Sequence, residues 1–280
     1  IRVSNDILKQ TSENYRKIRN TARFLLGNLS DFNPDTDRVA YEKLEEVDRW
    51  ALLRLDELVE KVALAYRDYD FHTMSHAMHQ FCVVDMSNFY LDVTKDRMYA
   101  SKAASAERRS GQTAMHAILD ALVRMLAPVL CFTADEIWQY LPHAASDNAG
   151  SVQLNSWPEA VPQYRDAALA TRWEKLLAVR DVVLKVLEEA RNRKEIGQSL
   201  QAKVQLTAAG EQLAFLRETA DLLPMVFICS QVEVVEGTAL TASVLPADGT
   251  KCERCWTYAP SVGEDTEHAA VCDRCAAALR

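Results

Sequence analysis

The segment RRSGQTAMHAILDALVRMLAPVLCFTADEIWQYLP, residues 108–142, carries the pattern that decides the fold. Its apolar residues recur every three to four positions, as on the buried face of an amphipathic helix. They stand at Met115, Ile118, Leu122, Leu126 and Val129. Pro128 should kink or end this helix, because proline lacks the amide proton that a helix interior needs. The segment therefore predicts an amphipathic helix that bends or stops near residue 128.

A shorter helix is predicted immediately after that proline. Thr133 stands three residues before Glu136, which is the spacing of a capping box at a helix start. Ile137, Trp138 and Leu141 supply its apolar positions. The pattern predicts a helix that opens with Thr133 as its N-cap.

Working outward, the same periodicity predicts further helices over residues 3–29, 44–62, 71–89 and about 167–193. Successive helices without an alternating strand pattern predict an antiparallel helical bundle. After Gly197 the pattern changes, because AKVQLTA (202–208) and QVEVVEG (231–237) alternate apolar and polar residues as half-buried strands do. A short helix near Leu213 separates them, so this part predicts a small α+β unit.

The predicted fold class is thus mainly α, in three parts. An antiparallel helical bundle covers residues 1–145, a linker with a long helix and a small α+β junction covers 146–250, and a four-cysteine zinc-binding tail covers 251–280. Residues 142–163 are polar and proline-rich, which suits an excursion or a linker.

The composition of the 280 residues excludes several classes of protein. The formal net charge of −8 argues against a uniform nucleic-acid coat, so any such binding must use local charge. No apolar run reaches the ~18 residues of a membrane span, and the N-terminus lacks the order of a signal peptide. We expect no membrane partner and a cytoplasmic location. Because the sequence begins with Ile1, we also expect a processed product or a piece of a longer polypeptide.

The most specific chemical pattern is a pair of CxxC motifs in the tail. Sixteen residues separate Cys252 and Cys255 from Cys272 and Cys275, a spacing typical of zinc sites. Four thiolates complete a tetrahedron and leave no open position, so the predicted Zn²⁺ is single and structural. Disulfides or redox dithiols are the alternative, which a cytoplasmic chain disfavours. The other cysteines, Cys82, Cys131 and Cys229, are predicted to be reduced core residues.

Trp256 lies beside the first CxxC motif and allows two interpretations. It either forms a small core for the tail or presents a rigid stacking surface for a nucleic-acid base. The sequence alone leaves both open.

Positive charge concentrates on the first predicted helix. Basic residues recur there every seven positions, which places them on one face because seven residues drift only ~20° around a helix. They are Arg2, Lys9, Arg16 and Arg23, with Arg19 beside them. The predicted helix at 167–193 is also locally basic. Such faces are often merely solvated, with internal ion pairs, but together with a zinc-braced aromatic they favour a phosphate backbone.

The sequence gives little support for catalysis. His72, His76 and His79 are spaced to share a helix face. No carboxylate accompanies them, so an ordinary helix face is favoured there over a metal site. No nucleophile stands in a known motif with its base, and no glycine-rich phosphate loop is present.

Several segments, in order, resemble the C-terminal part of bacterial-type isoleucyl-tRNA synthetases, which belong to class I. They are RNTARFLLGNL (19–29), DRWALLRL (48–55), YDFHTMSHAMHQFC (69–82), FYLDVTKDRMY (89–99), residues 108–142, RKEIGQSLQA (193–202), KCERCW (251–256) and CDRC (272–275). APVLCFTADEIW is shared with the relatives that charge valine and leucine, and the four-cysteine tail narrows the match to the isoleucine family.

The resemblance implies an anticodon-binding bundle, a junction and a zinc module that hold the anticodon stem and loop of an isoleucine tRNA. It implies that Arg2 and Trp256 contact the anticodon region, which fits a tRNA-binding face made by Lys9, Arg16, Arg19 and Arg23. The resemblance further implies that the whole enzyme joins isoleucine to its tRNA with ATP and Mg²⁺, and we expect a monomer. Since the HIGH and KMSKS signatures and an editing domain are absent from 1–280, this chain is expected to lack catalytic activity.

Two other functions compete with this interpretation. A similar four-cysteine finger ends some bacterial DNA glycosylases, but those need a catalytic N-terminal proline and acid, whereas this sequence begins IRVSND. A purely structural zinc-capped helical scaffold is the third reading, in which the basic face would be incidental.

Overall fold

The computed structural model describes residues 3–280. Its helices are α1 (Asn5–Gly27), α2 (Glu46–Arg67), α3 (Phe71–Gln80), α4 (Leu91–Val93), α5 (Lys95–Ala100), α6 (Ala106–Leu126), α7 (Cys131–Trp138), α8 (Ala167–Asn192), α9 (Gly210–Glu218), α10 (Leu223–Phe227) and α11 (Asp273–Leu279). Its strands are β1 (Ala202–Ala208), β2 (Gln231–Glu236), β3 (Thr241–Pro246), β4 (Thr250–Lys251) and β5 (Tyr258–Ala259). The prediction of a mainly helical fold with a small α+β part is confirmed.

The chain divides into two compact units. Within the described residues, the first contains 3–92 and 103–170, and the second contains 93–102 and 171–280. None of the helices in residues 3–280 combines the length and apolar character that a membrane span needs.

The first unit is built around α2 and α6, which bury more residues than the surrounding helices. The buried carboxylate of Asp48 on α2 accepts hydrogen bonds from the Tyr90 hydroxyl at 2.8 Å and the Ser110 hydroxyl at 2.5 Å. Burying a charged group is tolerable only when its lone pairs are satisfied, as they are here. This network fixes α2 and α6 against the segment that follows α3.

The predicted helix at 71–89 takes two forms. The α-helix ends at Gln80, and the backbone continues as a wider π-helix over Phe81–Tyr90. π-Helical turns are rare, and two hydroxyl groups, one on α1 and one within the π-helix itself, bond to a carbonyl oxygen of this one. Thr21 and Ser87 donate to the carbonyl oxygen of Cys82 at 3.2 and 2.8 Å.

The predicted capping box at Thr133 is wrong. Helical hydrogen bonding already runs from Leu126 through Leu130 to Ala134, so α7 begins at Cys131 and Leu130 is its N-cap. Thr133 therefore lies inside the helix, and its hydroxyl lies 3.0 Å from the Tyr15 hydroxyl of α1. The bend before it falls where Pro128 predicted, since α6 ends at Leu126.

The polar stretch after α7 packs within the first unit. The Trp138 indole donates to the carbonyl of Asn148 at 3.0 Å, and Arg124 pairs with Asp147 at 2.9 Å. Val152 is buried. Short 3₁₀ helices at Val152–Leu154 and Pro162–Tyr164 lead to α8.

The second unit contains a three-stranded mixed sheet in the order β2-β1-β3. Strand β1 pairs in parallel with β2 and antiparallel with β3. A parallel pair needs a crossover, which α9 and α10 supply. Both predicted strands are present, while β3 had no sequence signal that we recognised.

Candidate metal centre and nucleic-acid interface

The two CxxC motifs are presented by different local structures. The first follows β4 of the β4–β5 hairpin, where the Cys252 amide donates to the Thr257 carbonyl at 2.9 Å and the Trp256 amide donates to the Cys252 carbonyl at 3.0 Å. The second opens α11, with Cys272 as its N-cap and Cys275 in its first turn. Each motif thus turns both of its sulfur atoms to one side of the backbone.

The four sulfur atoms converge. All lie within 4.8 Å of one another, and the sulfurs of Cys255 and Cys272 are 3.8 Å apart. A tetrahedron with Zn–S bonds of about 2.3 Å has edges of about 3.8 Å, whereas a disulfide bond is about 2.05 Å. All seven cysteines are free thiols. The arrangement therefore fits a tetrahedral metal ion and not the disulfide alternative.

The electrostatics of the thiols also fit a cation. Burial raises the pKa of Cys252, but backbone N–H donors, among them that of Cys272 at 3.4 Å, outweigh it and lower that pKa to about 6. Burial, followed by repulsion from the neighbouring Cys255 sulfur, raises the pKa of Cys275. Burial also raises the pKa of Cys272. A bound divalent cation removes the repulsion among four thiolates, so this donor set is suited to Zn²⁺.

The cysteines form the centre of a small core. Its other buried members are Ala100, Val271 and Ala276, and Ala259 and Val262 pack against it. No large side chain contributes, which is expected where metal binding replaces hydrophobic burial as the main source of folding free energy.

Trp256 is not part of this core. Its side chain is 55% exposed, and its backbone lies in the left-handed region with φ of 65°. The ammonium group of Lys251 lies 5.3 Å from the ring centroid, a cation–π distance. Of the two interpretations of Trp256, the geometry favours a presented aromatic surface.

The basic face predicted on the first helix is present on α1. Lys9, Arg16, Arg19 and Arg23 are all exposed. At 100° per residue, Arg23 points away from the buried Thr21 and Leu25, so the face is opposite the core contact. Arg16 pairs with Glu13, and Arg19 lies 3.9 Å from Glu136. Arg2, the first residue of the predicted face, lies outside the described residues.

The basic residues of α8 are less available. Arg172 pairs with Glu218 at 2.5 Å, Arg191 pairs with Glu188 at 2.7 Å, and the guanidinium of Arg180 donates to the carbonyl of Val226 at 2.9 Å. For this helix the structure favours the solvated, internally paired alternative.

The histidines make no second metal site in the described part of the chain. The four cysteines are the one group of three or more possible ligand residues that converges within residues 3–280. The rings of His72 and His76 are 6.4 Å apart. Cys82 and Cys229 are buried as predicted, but Cys131 is exposed, because it begins α7 at the surface.

Two residues of the site escaped the sequence analysis. Lys251, which covers the Trp256 ring, reads in the sequence as an ordinary surface lysine. Arg274 donates to Asp96 at 2.8 Å, and that bond raises its pKa, while its guanidinium also bonds to the Cys255 sulfur. The only available signal was that both motifs read C-x-R-C, which is too short to interpret alone.

Comparison with known proteins defines the class of protein. Residues 48–206 match the family model described as the anticodon-binding domain of tRNA ligase. Residues 249–278 match the zinc finger found in FPG and IleRS. Since the first match covers more than half of the chain, the chain belongs to the anticodon-binding family of tRNA ligases.

The most specific likeness is to one kind of ligase. The isoleucine–tRNA ligase of Caldicellulosiruptor saccharolyticus is 51% identical over 278 residues, which cover 98% of this chain and 30% of the relative. That of Syntrophotalea carbinolica is 52% identical over 290 residues, which cover 100% of this chain and 31% of the relative. This chain spans about a third of the length of these relatives. The resemblance found in the sequence is confirmed.

Proposed function

We propose that this chain is the tRNA-recognition part of an isoleucine–tRNA ligase and binds the anticodon stem and loop of an isoleucine tRNA. The observation that carries the proposal is the order of two matches in one chain, an anticodon-binding domain followed by a zinc finger of the type found in IleRS. The names of the relatives supply the isoleucine specificity.

The proposed contacts divide by chemistry. Lys9, Arg16, Arg19 and Arg23 on α1 would bind phosphates, since exposed cations on one helix face suit a nucleic-acid backbone. Trp256 would stack on an exposed base. Arg2 belongs to the same proposed set, although it lies outside the described residues.

The metal has a structural part in this proposal. Cys252, Cys255, Cys272 and Cys275 would hold one Zn²⁺ with no open coordination position. The ion would therefore brace residues 251–276, the zinc knuckle, without activating water. Ligand exchange at such a closed site is not needed for recognition.

The reaction itself is assigned to parts of the ligase outside this chain. There, isoleucine would be joined to its tRNA with ATP and Mg²⁺, while residues 3–280 position the tRNA. The proposal also includes a monomer, a cytoplasmic location and the three-part division at 1–145, 146–250 and 251–280.

The DNA-repair alternative has weaker support. The zinc finger alone is compatible with it, because the family description also names FPG. Residues 48–206, however, match a domain of tRNA ligases. A merely structural scaffold gives no reason for residues 48–206 to match an anticodon-binding domain.

Competition binding tests the proposed function. The zinc-loaded 280-residue chain is incubated with a labelled hairpin that carries an isoleucine anticodon, and three unlabelled competitors are compared. The same hairpin should compete best, a hairpin with another anticodon less well, and a DNA duplex least. Equal competition by all three would reject tRNA recognition, and no binding to the labelled hairpin would reject it directly.

A further inference from the structure

The segment Val93–Lys102 lies between two parts of the first unit in sequence but belongs to the second unit. It contains α5, a helix of only six residues. A helix this short has little stability alone, so its position depends on the residues that pack against it.

Both CxxC motifs hold α5. Ala100 belongs to the buried core around the four cysteines. Arg254, between Cys252 and Cys255, donates to the carbonyl of Ala100 at 3.1 Å. Arg274, between Cys272 and Cys275, donates to the carboxylate of Asp96 at 2.8 Å. The arginine at the same position of each C-x-R-C motif thus contacts the same helix, and the metal module and α5 form one structural piece.

This anchoring presents a second aromatic side chain to solvent. Tyr99 is 63% exposed, although Met98 and Ala100 on either side are buried. Its backbone is therefore fixed while its ring is displayed, as is the case for Trp256 on the knuckle. What distinguishes Tyr99 from the other exposed aromatic residues is its place on a helix that contacts both CxxC motifs.

The sequence around Tyr99 is locally basic, and Lys95 and Lys102 are exposed. Residues 93–102 carry Lys95, Arg97 and Lys102 against the single acid Asp96, whose carboxylate already pairs with Arg274. This excess stands out in a chain of formal net charge −8. Lysine is depleted at the centre of protein–protein interfaces, whereas aromatic rings interleaved with cations are typical of surfaces that bind unpaired nucleotides.

We propose that α5 extends the RNA-binding surface of the zinc knuckle, with Tyr99 stacking on an unpaired base and Lys102 contacting the backbone beside it. The inference rests on the proposed function and adds a segment and two residues to it. The ligand of this surface is single-stranded RNA, such as the loop of a hairpin.

The test uses the zinc-loaded 280-residue chain and a labelled RNA hairpin with a seven-base loop, a length of about one anticodon loop. Loss of one stacked base weakens binding about 5- to 150-fold, so Tyr99→Ala should raise the Kd by that factor. Tyr99→Phe keeps the ring and should bind within about twofold of the unmodified chain. Tyr69→Asn is the matched control: it removes an exposed tyrosine of the first unit, and asparagine tolerates the left-handed backbone there. This control should leave the Kd unchanged.

Two further measurements keep the outcome decisive. Co²⁺ in place of zinc reports the four-sulfur site by its sulfur-to-metal absorption, which Tyr99→Ala should retain. If that variant loses the absorption, Lys102→Ala replaces it, and its salt slope should fall by roughly 0.7. An unchanged slope would then overturn the inference.

The two proposals fail in different ways. Suppose that Trp256→Ala raises the Kd for the hairpin, whereas Tyr99→Ala gives the same Kd as Tyr69→Asn. That result would overturn the role of α5 and leave the proposed function standing. A chain that binds no hairpin at all would reject both.

Discussion

Trp256 occupies a backbone conformation that large side chains rarely adopt. A residue other than glycine in the left-handed region costs about 1–2 kcal/mol, so glycine at position 256 would remove this backbone strain. Strain that persists beside a candidate binding surface is consistent with a functional requirement for the ring.

Trp256→Gly separates the functional from the structural role of this residue. The variant relieves the strained φ and removes the ring, so we expect full zinc content, unchanged or slightly higher thermal stability, and hairpin binding about 5- to 150-fold weaker. Metal content, thermal unfolding and Kd are the measurements. Loss of zinc would show that the indole supports the metal module.

Asp31 gives a pH-dependent test within the first unit. The hydrogen bond from Arg108, at 2.8 Å, is the main cause that lowers the pKa of Asp31 to about 2 from an ordinary 3.8. A lowered carboxyl pKa stabilises the folded state above pH 3.8, and this stabilisation is lost as the pH falls through about 2. The carboxylate is more than a third exposed, so screening limits the effect.

Asp31→Asn should therefore lower the free energy of unfolding by at most about 1 kcal/mol at pH 7. The difference from the unmodified chain should remain between pH 7 and 4 and shrink between pH 4 and 2. Urea unfolding at a series of pH values measures it, with Glu42→Gln as an exposed control. A difference that grows below pH 4 would contradict the assignment.

At the scale of single residues, spacing predicted the metal ligands because the distance between two thiols in a CxxC turn is set by the local backbone. The exposure of Trp256 could not be predicted, since both a small core and a stacking surface place an aromatic beside a knuckle. Lys251 contacts the Trp256 ring, and Arg274 contacts Asp96 and the Cys255 sulfur. These contacts form only when the chain folds.

Among the elements, α1 carries the most direct electrostatic prediction. Arg16→Ala with Arg23→Ala should lower the slope of log Kd against log salt by roughly 1.4 to 1.8, because each phosphate contact contributes about 0.7 to 0.9. Filter binding of the hairpin at several salt concentrations measures the slope. The matched control changes Lys61 and Arg67, two exposed cations of α2, to alanine. Equal slopes for both double variants would remove α1 from the interface.

Helix positions were predictable because their apolar period matches one buried face, and α1, α2, α6 and α8 agree with prediction within a few residues. The start of α7 was not predictable from the sequence. The turn after Pro128 continues directly into the helix, so α7 begins before Thr133. The π-helical stretch Phe81–Tyr90 depends on hydroxyl groups of Thr21 and Ser87, a contact that a local pattern does not contain.

For the molecule as a whole, the division into units departs from the order of the sequence. Residues 93–102 join the second unit through Ala100, Asp96 and the two motif arginines. Those partners lie more than 150 residues away along the chain, so no pattern within a window of ordinary length could predict the assignment.

Removal of zinc should therefore affect two distant stretches of sequence together. A chelator should abolish amide protection in 250–280 and also in 93–102, because metal binding supplies roughly 10–16 kcal/mol to modules of this type. Helix α6 in the first unit should keep its protection. Hydrogen exchange followed by mass spectrometry measures all three regions, and Cys275→Ser should reproduce the effect. Full protection of 93–102 without metal would show that α5 is held independently.

The same arrangement sets an order of events during synthesis. The ribosome completes α5 long before it reaches residues 252–276, so Ala100, which packs in the core around the four cysteines, stays uncovered until the last part of the chain is made. Exposed apolar surface on unfinished chains invites aggregation and quality control. A premature stop codon near residue 250 would leave that surface permanently exposed. The shortened product would then be degraded, although the stop codon lies far along the sequence from α5.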